Sequence, residues 1–355
     1  MAWCGGNEQE WGYPFENELY DIAKELDPTR PATSTDGYYL AKDIRRCNDY
    51  ASLVYYDYVD TLPVFEDINM YTRDISGKPQ LVHEMGNYKT VENIHDIEKY
   101  DACVVKPDWL LSVQKIVSEK SIAAEYETYL ANSYAMQRLC HKVNIERARL
   151  SHEVKGYHVW TITDFHGTSQ GLLNQFYETK GIEPETFLQY NGESVLLWDT
   201  ERYVFSAGES VAIVLKLAKY HSQVFETANL TVELVDRQET LIHTVDLGDL
   251  KGFGLIDLPV IRVDLPPVTA AGKWQLKAKL TAPGICLENN WNLWVYPHNR
   301  FVGEKSVYIH YTDRYLVDDF DCAIAHYIIR MVLDERSLIV SSKATRGMLD
   351  SVYNG

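Results

Sequence analysis

The chain has 355 residues, a length that suits two or three domains. Of these residues 46% are hydrophobic and 24% are charged, a composition typical of a folded globular protein. Asp and Glu (51) outnumber Lys and Arg (34), and the net charge of −17 would repel a phosphate backbone, so we expect no nucleic-acid partner. No apolar run reaches about 18 residues, so we predict no membrane-spanning helix and no membrane partner.

Residues 1–165 alternate between short apolar runs and helical patterns. A strand at residues 2–4 precedes a helix at 15–26, which ends at Asp27 because the following proline disfavours helical geometry there. The glycine-free segment 109–154 is also predicted to be helical, with one apolar face that contains Ile122, Tyr126, Tyr129, Leu130 and Tyr134. Further strands are predicted at residues 31–34, 51–56, 79–84 and 157–165.

Strands that alternate with helices in this way indicate a parallel α/β sheet with right-handed crossovers. Five strands are fewer than the eight of a closed (β/α)8 TIM barrel, and the chain begins inside the first of them. We therefore expect residues 1–186 to form about strands 4–8 of a partial TIM barrel. The missing N-terminal half of the barrel is expected on a longer parent chain, of which this polypeptide is the C-terminal part.

Short β-type runs replace this alternation from about residue 187. Their spacing, with turn sequences such as Ala-Gly-Glu between them, predicts an antiparallel, immunoglobulin-like β-sandwich over residues 187–298. The tail, residues 299–355, is predicted to begin an incomplete α/β domain. Its predicted elements are strands at 306–311 and 338–341 around a helix at 318–331.

Two of the predicted strands lead to a glutamate. Glu8 follows Asn7 after the first strand, and Glu84 ends the strand at residues 79–84. Polar residues at the C-terminal ends of parallel barrel strands face the active-site mouth. Two such carboxylates suit the hydrolysis of a β-glycosidic bond with retention of configuration, one as acid/base and one as nucleophile. Asn7 is then expected to bind a sugar hydroxyl, and Trp160, on the last strand, to form the floor under the sugar ring.

We expect no metal ion and no other cofactor. His83 adjoins Glu84, but adjacent residues of a strand point to opposite faces of the sheet. The six cysteines lack the spacing of a zinc or redox motif. The same lack of ligand spacing applies to the histidines of this region, which are His141, His152, His158 and His166.

Four motifs resemble successive strand motifs of glycoside hydrolase family 2, the family of β-galactosidases, β-glucuronidases and β-mannosidases. They are residues 3–8 (Trp-Cys-Gly-Gly-Asn-Glu), 27–31 (Asp-Pro-Thr-Arg-Pro), 78–86 (Lys-Pro-Gln-Leu-Val-His-Glu-Met-Gly) and 156–165 (Gly-Tyr-His-Val-Trp-Thr-Ile-Thr-Asp-Phe). The resemblance continues to about residue 298. It implies that Glu8, in the Asn-Glu pair, is the acid/base and that Glu84 is the nucleophile.

In that family the sixth barrel strand often ends in a His or Tyr near the nucleophile, so Tyr55 and Tyr56 are candidates for substrate contact, with Tyr58 as a third. The resemblance implies an exo-acting retaining glycosidase that hydrolyses O-glycosyl compounds, with a carbohydrate as its partner. Two alternatives stay open: an inactive carbohydrate-binding or scaffold protein with a glycosidase-like barrel, and an isolated piece without activity. The presence of both glutamates favours the hydrolase over the first alternative.

Overall fold

The computed structural model describes residues 2–7, 13–36, 49–54, 78–101, 103–236, 240–297, 306–310, 323–325 and 337–340. The chain divides into two compact units. Unit 1 contains Met1–Pro266 and Ala271–Tyr296, and unit 2 contains Pro267–Ala270 and Pro297–Gly355. Strands predominate over helices in the described residues. None of the helices in this part of the chain has both the length and the apolar character needed to cross a bilayer.

Unit 1 begins with a short parallel pair of strands. β1 (Trp3–Cys4) pairs with β2 (Ala32–Thr33), and an isolated bridge between Asn7 and Asp36 extends this contact beyond both strands. Helix α1 (Tyr13–Leu26) lies between the two strands along the chain. This confirms the helix and the two strands that the sequence predicts here.

A second parallel sheet has the order β3 (Ala51–Val54), β4 (Gln80–Met85), β5 (Val154–Val159). The connection from β4 to β5 contains a 3₁₀ helix (Ile94–Tyr100), helix α2 (Asp108–Glu119) and helix α3 (Ala123–Leu150). Parallel neighbours require such a long crossover. The prediction of β5 was wrong in its bounds, because the strand begins at Val154 and residues 160–165 leave the sheet.

The core of this region forms between α3 and the sheet. Ile145 and Ala148 of α3 are buried in one cluster with Val82 and Met85 of β4. The face predicted for α3 is correct except for Tyr129, which is exposed. Among the described residues, β1–β2 and β3–β5 form two separate sheets. The partial TIM barrel therefore stays a prediction.

The rest of unit 1 is rich in antiparallel strands and is consistent with the predicted sandwich. Its strands are β6 (Ser194–Trp198), β7 (Val204–Ser206), β8 (Ser210–Ile213), β9 (Leu215–Lys219), β10 (Phe225–Val235), β11 (Thr240–Leu250), β12 (Gly254–Asp257), β13 (Ile261–Asp264), β14 (Gly272–Ala282) and β15 (Ile285–Tyr296). Helix α4 (Pro184–Asn191) precedes these strands and was not predicted. The largest sheet has the order β11-β10-β14-β15-β7, and the smaller sheets have the orders β12-β9-β6 and β13-β8.

A buried polar network joins α3 to this β-rich region. Glu146 of α3 accepts hydrogen bonds from Asn289 Nδ2 at 2.7 Å and from Trp291 Nε1 at 2.8 Å, both on β15. Lys142, one helical turn before Glu146, pairs with the same carboxylate. Because a buried charge is tolerated only when it is paired and hydrogen-bonded, these contacts fix how α3 meets β15.

Unit 2 contains a three-stranded parallel sheet in the order β17-β16-β18, made of β16 (Ser306–His310), β17 (Ala323–Ala325) and β18 (Ser337–Val340). The predicted strands are confirmed at β16 and β18. The predicted helix at 318–331 is wrong at β17, which pairs along the backbone of β16. The other residues of that prediction lie outside the described part of the chain.

Candidate functional site

The candidate site lies where β2, β4 and β5 bring polar side chains together. Asp36, just after β2, has Oδ1 3.3 Å from Nδ1 of His83 on β4. Its other oxygen, Oδ2, lies 3.4 Å from Nδ1 of His158 on β5. Asp36 and His83 are buried, whereas half of the His158 side chain is exposed. Among the described residues, these three form the one group of His, Cys, Asp or Glu side chains whose atoms are placed to share a metal ion.

Glu84, the predicted nucleophile, adjoins this group. Its side chain is only 14% exposed, and its Oε1 lies 3.3 Å from Nε2 of His83. The expectation that His83 and Glu84 point to opposite faces was wrong. Glu84 has φ of +51°, and the pairing of β4 with β5 shifts register between Val82 and Met85. This irregularity breaks the alternation of a regular strand, so both side chains reach the same place.

The loop after Glu84 is held by the longest described helix. Nε2 of His141, on α3, lies 3.0 Å from the carbonyl oxygen of Gly86. Burial lowers the pKa of His141 to about 4, so the ring is neutral at pH 7. A carbonyl oxygen can only accept, so Nε2 carries the proton and donates it. Asn87 adds a second restraint, since its Nδ2 donates to the carbonyl oxygen of Glu84 at 3.0 Å.

Trp160 lies directly after β5 and next to the same loop. Its backbone nitrogen donates to the carbonyl oxygen of Met85 at 2.8 Å, and its indole Nε1 donates to Oε1 of Gln170 at 3.0 Å. Gln170 in turn donates to the carbonyl oxygen of Asn87 at 3.3 Å. The peptide bond from Trp160 to Thr161 is cis. Trp160 is thus fixed beside the chain that follows Glu84, and its role as the floor of a sugar site stays a prediction.

A buried lysine organises the loop beyond Trp160. Nζ of Lys180 donates to Oδ1 of Asp164 at 2.9 Å and to the carbonyl oxygen of Ser169 at 3.1 Å. Burial lowers the pKa of Lys180 and raises the pKa of Asp164, and the attraction between the two charges opposes both shifts. The same carboxylate oxygen accepts from the backbone nitrogen of Gly171 at 2.7 Å. The pair therefore holds the loop that carries Gln170.

Three of the predicted site residues, Glu8, Tyr55 and Tyr56, lie outside the described residues, as does Tyr58. Asn7 is exposed, and its backbone is bridged to Asp36, which contacts His83 beside Glu84.

Sequence reasoning did not identify Asp36 as a site residue, and it did not predict the contact of His158 with Asp36. A signal existed for Asp36, which follows the strand predicted at 31–34 just as Glu84 ends its own strand. His158 lay within a predicted strand, but no sequence signal paired it with Asp36.

Comparisons with known proteins support a fold of the glycosidase kind. The chain is similar to the crystal structure of β-D-mannosidase from Dictyoglomus thermophilum, with a TM-score of 0.52 and 16% sequence identity. The similarity covers 86% of this chain and 39% of that one, so the chain spans well under half of the enzyme's length. At this identity the similarity shows a glycosidase-like fold and no more.

Other comparisons add little. Residues 209–297 match the family described as Domain of unknown function (DUF8488). No curated protein sequence matches the chain. The solution structure of a protein described as late embryogenesis abundant is matched with a TM-score of 0.23 and 15% identity, over 30% of this chain and 72% of that one.

Proposed function

We propose that this chain carries the catalytic carboxylates of a retaining, exo-acting β-glycoside hydrolase of the family 2 type. The observation that carries the proposal is the position of Glu84, a largely buried carboxylate near the end of β4 in a chain with a glycosidase-like fold. In this proposal β1–β5 are strands 4–8 of a (β/α)8 barrel, and the β-rich region that follows is an immunoglobulin-like sandwich.

The proposed reaction has two displacements. Glu84 attacks the anomeric carbon while Glu8 protonates the departing oxygen, and a glycosyl ester of Glu84 results. Glu8 then removes a proton from water, which displaces Glu84 and releases the sugar with its original configuration. A nucleophile must be held in one orientation for this attack. The contacts of His83 with the carboxylate and of Asn87 with the backbone of Glu84 supply that restraint.

The remaining predicted residues act on the sugar. Trp160 stacks under the ring, Asn7 binds a hydroxyl beside the reacting carbon, and Tyr55 and Tyr56 contact the substrate near the nucleophile. The structural relative is named as a β-D-mannosidase, so β-mannosides are the first substrates to test. β-Glucosides, β-galactosides and β-glucuronides belong in the same panel.

Covalent trapping tests the proposal. The chain, and any longer polypeptide that contains it, is incubated with dinitrophenyl 2-deoxy-2-fluoro-β-glycosides of this panel. The fluorine slows both displacements, but the good leaving group speeds the first one, so the glycosyl ester accumulates. Peptide mass spectrometry is expected to find the sugar on Glu84. Glu84→Gln should lose both the label and hydrolysis, whereas the control Glu92→Gln, on the following loop, should keep both. A label on another residue, or sugar binding without label or hydrolysis in every form of the protein, would overturn the proposal.

A further inference from the structure

We propose that Asp36, His83 and His158 form a binding site for a divalent transition-metal ion, of which Zn²⁺ fits best. The inference does not depend on the proposed hydrolase activity. Each ligand comes from a different strand region, after β2, on β4 and on β5. A bound ion therefore ties together three segments that are distant in the sequence.

The spacing of the three side chains allows one ion to contact all of them. Asp36 Oδ1 lies 3.3 Å from His83 Nδ1, and Asp36 Oδ2 lies 3.4 Å from His158 Nδ1. One ligand atom of each residue lies within 4.8 Å of those of the other two. Ligand atoms at about 2.0–2.1 Å from a tetrahedral Zn²⁺ are about 3.3–3.4 Å from one another, so small side-chain rotations bring all three onto one ion.

The type of ligand also favours such an ion. Two imidazoles and one carboxylate suit zinc and its neighbours, whereas magnesium and calcium prefer oxygen ligands alone. Three protein ligands leave one tetrahedral position for water or another small ligand. The half-exposed His158 also lines a cavity of about 590 Å³ together with Tyr50 and Leu81, so this ligand can be reached from solvent.

Glu84 occupies the place of an outer partner for this site. A histidine that binds a metal through one nitrogen nearly always donates its other N–H to a carboxylate, a carbonyl or water. Nδ1 of His83 faces Asp36, and its Nε2 faces Oε1 of Glu84 at 3.3 Å. The carboxylates of Asp36 and Glu84 thus flank one imidazole, and a divalent cation balances their two negative charges.

Cobalt titration tests the proposal without any measure of activity. The folded chain, freed of metal by chelation, is titrated with Co²⁺, whose visible absorption is intense in a four-coordinate site. We expect one equivalent to bind and Zn²⁺ to displace it. His158→Ala and Asp36→Asn should weaken Co²⁺ and Zn²⁺ binding by more than about 100-fold, because the loss of even an outer partner costs about 10–100-fold.

His95→Ala is the matched control. His95 lies 2.6 Å from a carboxylate oxygen of Glu127, and both side chains are exposed. Among the described residues this histidine–carboxylate pair has no third His, Cys, Asp or Glu placed to share a metal ion. This variant should bind metal like the unchanged chain.

Circular dichroism checks that each variant is folded. Because the His158 side chain is half exposed, His158→Ala is the substitution least able to disturb the core. The site would be refuted if the unchanged folded chain bound no metal, or if His158→Ala and Asp36→Asn bound metal as tightly as the unchanged chain. Either result would leave the hydrolase proposal untouched.

Discussion

His141 on α3 hydrogen-bonds through Nε2 to the carbonyl oxygen of Gly86, two residues after Glu84, at 3.0 Å. The helix that supplies much of the local core therefore also fixes the loop of the candidate nucleophile. The contact is tight, since a Cβ atom added at Gly86 would come 2.8 Å from Cδ2 of His141. The packing of α3 therefore helps to set the position of the loop that follows Glu84.

The stability of the fold should fall in mild acid because of His141. Its pKa is about 4 in the folded chain and about 6.5 when unfolded, so between these values the unfolded chain binds more protons. The free energy of unfolding should therefore rise from pH 4 to pH 6.5, by roughly 3 kcal/mol from this residue. Urea unfolding at several pH values measures the slope. His141→Gln should flatten it and exposed His152→Gln should leave it unchanged; equal slopes in all three proteins would refute the assignment.

Gly86→Ala should destabilise the chain much more than Gly167→Ala. Both glycines have positive φ, +95° and +68°, but a Cβ at Gly167 meets nothing within 4 Å. Gly167→Ala therefore adds only backbone strain, about 1–2 kcal/mol. Gly86→Ala adds the contact with buried His141, and we expect a total loss above about 2 kcal/mol. Chemical denaturation measures both; equal losses would show that the contact with His141 is easily relieved.

Removal of the Glu146 carboxylate should be strongly destabilising. Glu146→Leu leaves largely buried Lys142 without its partner, which costs about 3–5 kcal/mol in comparable pairs. The double change Lys142→Met with Glu146→Leu should recover much of this loss, because both charges are then gone.

The control for this prediction is Lys115 with Glu119 on α2, an exposed pair of the same spacing. Its disruption should change the free energy of unfolding by less than about 1 kcal/mol. Similar losses at the two pairs in chemical denaturation would contradict the role of the buried network.

The two glutamates should respond differently to azide if the hydrolase proposal is correct. Glu84→Ala should abolish turnover, and azide should restore it with inverted configuration because the anion enters the empty nucleophile position. Glu8→Ala should still form the glycosyl ester from a dinitrophenyl glycoside, which needs little protonation, and azide should then give a product of retained configuration. NMR of the glycosyl azides distinguishes the outcomes. Glu10→Ala is the control and should keep normal turnover, while the reverse azide pattern would exchange the two roles.

Local sequence patterns determined much of the secondary structure. The periodicity of residues 15–26 and the glycine-free run after Trp109 predicted α1, α2 and α3, because helical spacing of apolar residues is a local property. Residues 318–331 show the limit of such patterns. There β17 forms a parallel pair with β16, and pairing with a distant strand overrides a weak helical pattern.

The sequence by itself also placed Glu84 at the end of a strand. It placed Trp160 on the last strand of the parallel region, which in the structure ends one residue earlier, at Val159. Only the tertiary structure brought Asp36, His83 and His158 within reach of one another. His83 and His158 meet through the pairing of β4 with β5, whereas Asp36 comes from the separate sheet that contains β2, and spacing along the chain predicts neither contact. It also decided the direction of the Glu84 side chain. A left-handed φ at Glu84 and a register shift beside it turn the carboxylate toward His83, and this backbone geometry depends on the partners of β4 and not on the residues of β4 alone.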